Sequence, residues 1–177
     1  RRAEKTLRAR CWSGPDLSDE TFARYQALHA KYAGRVTRSA ATFQFNRDWT
    51  RSGKAALVEV TEGDRSVAFA LILLFGKGAY YGSSCKDPER AGLPSSHAAQ
   101  WTLFQWLKER GFWFYDLGVQ QFSTQWFDRS DPGYAGVAKF KRGFGGSTVP
   151  MFFGEFHASE KALRASIQER LDQCLRG

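Results

Sequence analysis

The stretch that most constrains the fold runs from residue 54 to residue 117. It holds three strand-like segments, residues 54–60, Arg65–Phe75 and residues 79–84, broken only by Thr61-Glu62-Gly63-Asp64 and Gly76-Lys77-Gly78. Turns this short join antiparallel neighbours. After them comes a polar loop containing Pro88 and Pro94, and then a helix for which Ser95 or Ser96 is the expected cap. That helix carries Trp101, Phe104 and Leu107 on one face, with Leu103 and Trp106 alongside, and stops at Gly111. Residues 112–117 follow as an aromatic strand. Strand, helix, strand makes a βαβ crossover, so this strand is expected to run parallel to the one at 79–84. The fold class is therefore α/β of the α+β kind: a mixed sheet, mostly antiparallel, with a central parallel pair and flanking helices.

Upstream, Leu7, Ala9 and Cys11 alternate with Arg8 and Arg10, the pattern of a charged edge strand. Ser18 stands before Asp19 and Glu20 as an N-cap, and Phe22, Tyr25, Leu28 and Tyr32 recur at helical spacing up to Gly34. A second helix is expected from about Ala40 to Thr50, carrying Phe45 and Trp49 four apart. Downstream, residues 118–134 lack a clean period and read as a long ordered loop, a type that is often functional. A short helix at 137–141, a last strand at 148–156 and a final helix carrying Leu163, Ile167, Leu171 and Leu175 complete the reading. With no internal repeat and no flexible linker, residues 1–177 are expected to form one domain.

Composition narrows the function classes. A chain of 177 residues with 42% hydrophobic and 15% aromatic content can bury a core, and its longest apolar run is far too short to span a membrane. Cys11, Cys85 and Cys174 are odd in number and far apart, which suggests no disulfide framework and a reducing, cytoplasmic setting. His29, His97 and His157 show no metal-binding spacing, so no metal is expected. The net charge of +8 and pI near 9.6 favour polyanionic partners: nucleic acid, phosphorylated cofactors or anionic lipid surfaces. The first ten residues are basic and do not begin with methionine, which suggests a fragment of something longer.

The segment Val-Ala-Lys-Phe-Lys-Arg-Gly-Phe-Gly-Gly at 137–146 gathers three cations, two aromatics and three glycines. Lysine and arginine offer N–H donors and glycine lets backbone approach closely, which suits an anionic or carbonyl-bearing group. A basic surface loop closing onto a strand explains the same residues. Tyr80 and Tyr81, adjacent on a strand, point to opposite faces, and the sequence leaves open which one faces a cleft.

The order of elements resembles the GNAT N-acetyltransferase topology. Leu93-Pro94-Ser95-Ser96, the Lys-Glu-Arg-Gly ending of the crossover helix, the strand ending Asp116-Leu117-Gly118 and the Phe-Lys-Arg-Gly-Phe-Gly-Gly at 140–146 are similar to the pattern of FemAB-like acyltransferases. The basic Arg1-Arg2-Ala3-Glu4-Lys5 resembles the helix that precedes the domain in longer members. The resemblance implies the C-terminal half of a protein with two GNAT-like halves. It also implies an N-acyltransferase that moves an acyl or aminoacyl group from a carrier such as charged tRNA to an amine, for instance on a cell-wall or envelope precursor. No tightly bound cofactor is expected, and the protein would be cytoplasmic or peripheral at the inner membrane face. Lys141 would steady the oxyanion and Phe140 would pack against the acyl donor, with Arg142, Gln120, Tyr80 and Tyr81 binding substrate. Asp116, ending the parallel strand, would orient Lys141 or accept a proton. His97, in the first turn of the crossover helix, is a lesser candidate base.

Family members that use acetyl-CoA hold its pyrophosphate on a Gln/Arg-x-x-Gly-x-Gly/Ala loop at the start of this helix. Here Arg90 is followed at those spacings by Leu93 and Ser95. Lys86 and Arg90, with Ser95 and Ser96, could still grip a phosphate. Two alternatives therefore stand beside the tRNA-dependent reading: an acyl-CoA-dependent N-acetyltransferase acting on a small amine or amino sugar, and a non-catalytic RNA-binding module.

Overall fold

The runs at residues 55–60 and 67–72, on either side of a polar turn, carry Glu59 as their single polar side chain, and in the computed structural model they become the buried centre of a sheet. The structure describes residues 7–120, 132–152 and 154–175, which divide between two compact units, residues 1–118 and residues 119–177. The first unit runs β1 (Leu7–Trp12), α1 (Asp19–Ala33), α2 (Ala40–Arg51), β2 (Ala55–Glu62), β3 (Arg65–Phe75), β4 (Gly78–Lys86), α3 (Ser95–Glu109) and β5 (Phe114–Asp116). The described strands lie side by side in chain order. The first four are antiparallel neighbours, and β5 pairs parallel to β4 with Phe114, Tyr115 and Asp116 opposite Gly78, Ala79 and Tyr80. This is the mixed sheet with one crossover that the turn lengths imply.

Strand alternation splits the core in two. Val58, Val60, Ala70 and Ile72 face α3, which answers with Ala99, Leu103 and Leu107. Leu57, Phe69 and Leu71 face α1 and α2, which contribute Phe22, Tyr25 and Phe43. The caps act as expected on α1: the Ser18 hydroxyl accepts the Thr21 N–H, and Gly34 at φ 67° ends the helix with its N–H on the Lys31 carbonyl. The indistinct start of α2 is a serine cap too, Ser39 accepting from the Thr42 N–H.

Several expectations need correction. Neither Ser95 nor Ser96 caps α3; Pro94 occupies the N-cap without a side-chain hydrogen bond, and both serines are helical. Trp101 is 61% exposed, because it sits two residues from Ala99, about 200° around the helix from the sheet-facing stripe.

In the second unit, α4 (Pro132–Arg142) begins inside the expected loop and is longer than the short helix foreseen at 137–141; its opening proline needs no N–H partner in a first turn. Of the rest of that loop, residues 121–131 lie outside the described residues, as does the basic stretch at 1–5. The described part of 148–156 forms no strand. Pro150 removes a donor from its middle, and Val149, Met151, Phe152 and Phe156 are exposed without alternation, so it has no face to bury. The final helix, α5 (Glu160–Leu175), forms as the spacing predicts, with the Ser159 hydroxyl accepting the Ala162 N–H.

Candidate functional site

β4 has nine residues and β5 three, so their pairing lasts only from Gly78 to Tyr80. Beyond that point β4 continues to Lys86 with β3 on one side and no described strand on the other. Among the described residues no strand pairs with that second edge, which is the kind of edge that an extended partner can join. Where the strands part, the β3–β4 register slips: Ile72 lies opposite Tyr81 and Leu71 opposite Ser83, leaving Gly82 as the extra residue of a bulge.

The bulge decides which tyrosine goes where. Tyr81 joins the α3 side of the core, while Tyr80 points to the opposite face and is 45% exposed. After the bulge the parity reverses. Ser83 now faces α1, accepting the Tyr25 hydroxyl at 3.4 Å, and Cys85 packs in the α1–α2 core. A glycine inside a strand pattern was the signal for this in the sequence.

Beneath the split, Gln100 on α3 reaches β5, and its Nε2 is buried with no hydrogen-bond partner among the described residues. The residue is buried, and its Oε1 accepts the Tyr115 hydroxyl at 2.9 Å. Burial raises the pKa of both Tyr115 and Tyr81, against the smaller opposing effect of hydrogen bonding, so both hydroxyls keep their protons at neutral pH. Nothing in the sequence marked Gln100, because a lone glutamine in a helix reads as surface. Cys11 and Cys85 are free thiols that burial pushes up to about 12, so neither is a thiolate nucleophile at neutral pH.

The unpaired edge leads into the loop before α3, and that loop is anchored rather than slack. Asp87, only 1% exposed, accepts the Glu89 N–H at the start of a single 3-10 turn, Pro88–Arg90. It also receives Lys31 from α1 at 3.0 Å and Arg65 from β3, and both cations reach Glu89 as well. Arg90 turns to Glu62 at 3.0 Å. The first intrahelical bond of α3 runs from the Ala98 N–H to the Pro94 carbonyl, so the N–H groups of Ser95 and Ser96 emerge at the helix end.

Burial alone would raise the Asp87 pKa, but Lys31, the Glu89 N–H and Arg65 outweigh it and hold the carboxyl below its ordinary value of 3.8. The stabilisation it gives is therefore complete above that value and is lost as pH falls through the lower, folded-state pKa. Asp87→Asn is expected to cost about 1–3 kcal/mol at pH 7. Urea melts as a function of pH check this: the parent and variant curves should converge on acidification below about pH 4.

In the second unit, the Lys141 ammonium donates to the Val119 carbonyl at 2.9 Å, Arg142 reaches the Gln120 side-chain oxygen at 3.5 Å, and Gln120 donates to Thr148 at 3.4 Å. Phe140 and Phe144 meet edge to face with centroids 4.9 Å apart. Gly145 and Gly146, at φ 79° and 84°, make the turn that follows. The structure thus brings Lys141, Arg142, Phe140 and Gln120 together in one unit. In the other, Tyr80 stands beside Asp116 in register, and Lys86, Arg90, Ser95 and Ser96 sit on the anchored loop and helix end. Asp116 accepts the Gly118 N–H on Oδ1 at 2.6 Å, the turn-capping role that competes with a catalytic one. Among the described residues no His, Cys, Asp and Glu cluster could hold a metal, and no helix is long and apolar enough to cross a membrane.

A family model described as an acetyltransferase (GNAT) domain matches residues 1–142. No curated protein matches the chain. Three solved structures are similar in fold. The first is the aminoglycoside acetyltransferase meta-AAC0020 from an uncultured soil metagenomic sample, in complex with sisomicin. It is 13% identical with a TM-score of 0.61, over 87% of this chain and 99% of that one. The second is the ribosomal-protein-S18-alanine N-acetyltransferase from Escherichia coli, 18% identical with a TM-score of 0.53, over 78% of this chain and 77% of that one. The third is the aminoglycoside N-acetyltransferase AAC(6′)-Iy in complex with CoA, 7% identical with a TM-score of 0.62, over 86% of this chain and 95% of that one.

Proposed function

The chain belongs to the acetyltransferase (GNAT) domain family, and from that premise we propose that it is an N-acyltransferase taking its acyl group from a coenzyme A thioester and passing it to a primary amine. The observation that carries this reading is the open edge of β4 beyond Tyr80, running toward the uncapped N-terminus of α3. An extended donor arm bearing amide groups adds to such an edge as a strand does. Its phosphates then meet the N–H groups of Ser95 and Ser96, where the helix dipole favours negative charge. Lys86, at the end of β4, supplies a side-chain cation, whereas Arg90 serves only by releasing Glu62. The fold relative with CoA bound supports the same donor.

When bound, the thioester supplies an electrophilic carbonyl carbon; a C–N bond forms there, the C–S bond breaks, and one proton passes from nitrogen to the departing sulfur. In this proposal Asp116 takes that proton first, on the carboxylate oxygen that Gly118 does not use. Tyr80 lines the acceptor side. Within the second unit, the resemblance of residues 140–146 to the acyltransferase pattern assigns Lys141 to a developing oxyanion and Phe140, Arg142 and Gln120 to substrate binding.

A second reading, a FemAB-like enzyme with an aminoacyl group carried on tRNA, rests on the 140–146 motif and on Leu93 and Ser95 where the CoA-binding pattern has small residues. Calorimetric titration with CoA and with charged tRNA separates the two. Ser96→Asp sharpens the comparison, because a carboxylate in the first turn of α3 favours the helix but repels a phosphate there. Under the CoA reading the variant keeps or raises its melting temperature while its CoA affinity falls about tenfold or more. Parent protein that ignores CoA but binds and uses charged tRNA would establish the second reading instead. Steeply salt-sensitive tRNA binding with no transfer to any amine would support a binding module.

A further inference from the structure

Away from the β4–β5 split, a cleft of about 250 Å³ opens between α1, α2 and the loop joining them, and no residue of β4, β5 or α3 lines it. Its walls are mainly apolar, built by Ala30, Ala40 and Phe43, and its polar lining includes Gln26, His29 and Arg38. An empty apolar cavity of about 150 Å³ is known to take benzene. The larger volume here suits one aromatic ring with a short polar tail.

The polar groups choose the sign of that tail. No aspartate or glutamate lines the cleft, and among the described residues Arg38 meets no carboxylate although it is half-buried. α2 starts at this mouth, with Ser39 as its cap and no acid in its first turn, so its positive dipole end adds to Arg38. His29 is 8% exposed, wedged edge-on between the Tyr25 and Phe43 rings at 5.9 and 5.6 Å, and no described residue hydrogen-bonds to its ring. Burial, and then the Arg38 charge, hold its pKa below the ordinary value, so at neutral pH it is an uncharged imidazole with one N–H to give.

We propose that the α1–α2 cleft is a binding site for a small aryl monocarboxylate, its ring packed against Phe43, Ala30 and Ala40 and its carboxylate held by Arg38 and the His29 N–H. The site is separate from the acyl-donor cleft and does not depend on the transferase reading. It also has a physical connection to β4: His29 packs on Tyr25, whose hydroxyl reaches Ser83, the residue after the Gly82 bulge.

The test uses phenylacetate and its uncharged isostere phenylacetamide, titrated by calorimetry into the full chain, into Arg38→Met and into Ala30→Leu. Phenylacetate is expected to bind one site with a Kd on the order of 0.1–1 mM, as suits a ligand of this size. Phenylacetamide should bind about tenfold more weakly, and Arg38→Met should bring the acid down to the level of the amide. Ala30→Leu fills the cleft and should abolish both. Thermal melts of the unliganded variants, close to the parent, show that the fold is kept; should Ala30→Leu not fold, Ala40→Leu replaces it. The inference is overturned if the parent shows no saturable binding at millimolar phenylacetate, if acid and amide bind alike, or if a folded cavity-filling variant binds as the parent does.

Discussion

Lys141→Ala is expected to lower kcat/KM for acyl transfer on the order of a hundredfold while CoA affinity stays near that of the parent. The argument rests on timing. A donor aimed at an oxyanion strengthens as negative charge gathers on the carbonyl oxygen, so its loss appears in the rate and little in ground-state binding. The competing role is already visible: the ammonium donates to the Val119 carbonyl at 2.9 Å, a contact that serves structure alone. The two roles predict different readouts. If tying Val119 is the whole task, the variant melts earlier and turns over within about threefold of the parent; if the proposal holds, turnover collapses in protein that melts normally. Lys141→Arg refines the comparison, since a planar guanidinium keeps the charge but not the compact point donor.

Phe69→Ala is expected to destabilise the first unit by about 3–5 kcal/mol in urea or thermal unfolding. Phe69 is 1% exposed on the central strand β3, in the core beneath α1 and α2, with the Tyr25 ring 5.7 Å away. Truncation removes a buried ring and leaves a void that its neighbours, Leu57, Leu71 and Cys85 among them, can fill only in part. Against a total stability of roughly 5–15 kcal/mol for an ordinary domain, that is a large fraction. A loss under about 1 kcal/mol would mean that the α1–α2 layer is not packed on the sheet as described.

The first unit was largely legible before its structure because its forces are local or periodic. Short turns dictated the antiparallel strands, the length of the crossover dictated the parallel pair, and Ser18 and Gly34 bracketed α1 within a residue. Legibility failed where a contact partner makes the element. Residues 148–156 have strand-like composition, yet a strand exists only in a ladder, and Pro150 with exposed residues on both parities leaves the described part of this one without. The start of α4 was hidden for the opposite reason: a helix satisfies its own backbone and can begin wherever the first turn tolerates a proline.

The candidate site divides in the same way. The sequence alone determined which residue types were present and in what order: the Lys86 to Ser96 loop, Asp116 at a strand end, and the cations at 139–142. It also carried the family resemblance that the match to residues 1–142 upheld at the level of the GNAT domain. Only the tertiary structure decided that Gly82 is extra in the ladder and that Tyr81 turns into the core while Tyr80 turns out. Tertiary contacts likewise set Gln100 under Tyr115 of β5 and secured the loop before α3 through Asp87 to two separate elements. The physical reason is the range of the interactions. Periodicity and capping act within a few residues and are written in the chain, whereas a one-residue slip in register or a buried ion network depends on partners that only folding brings together.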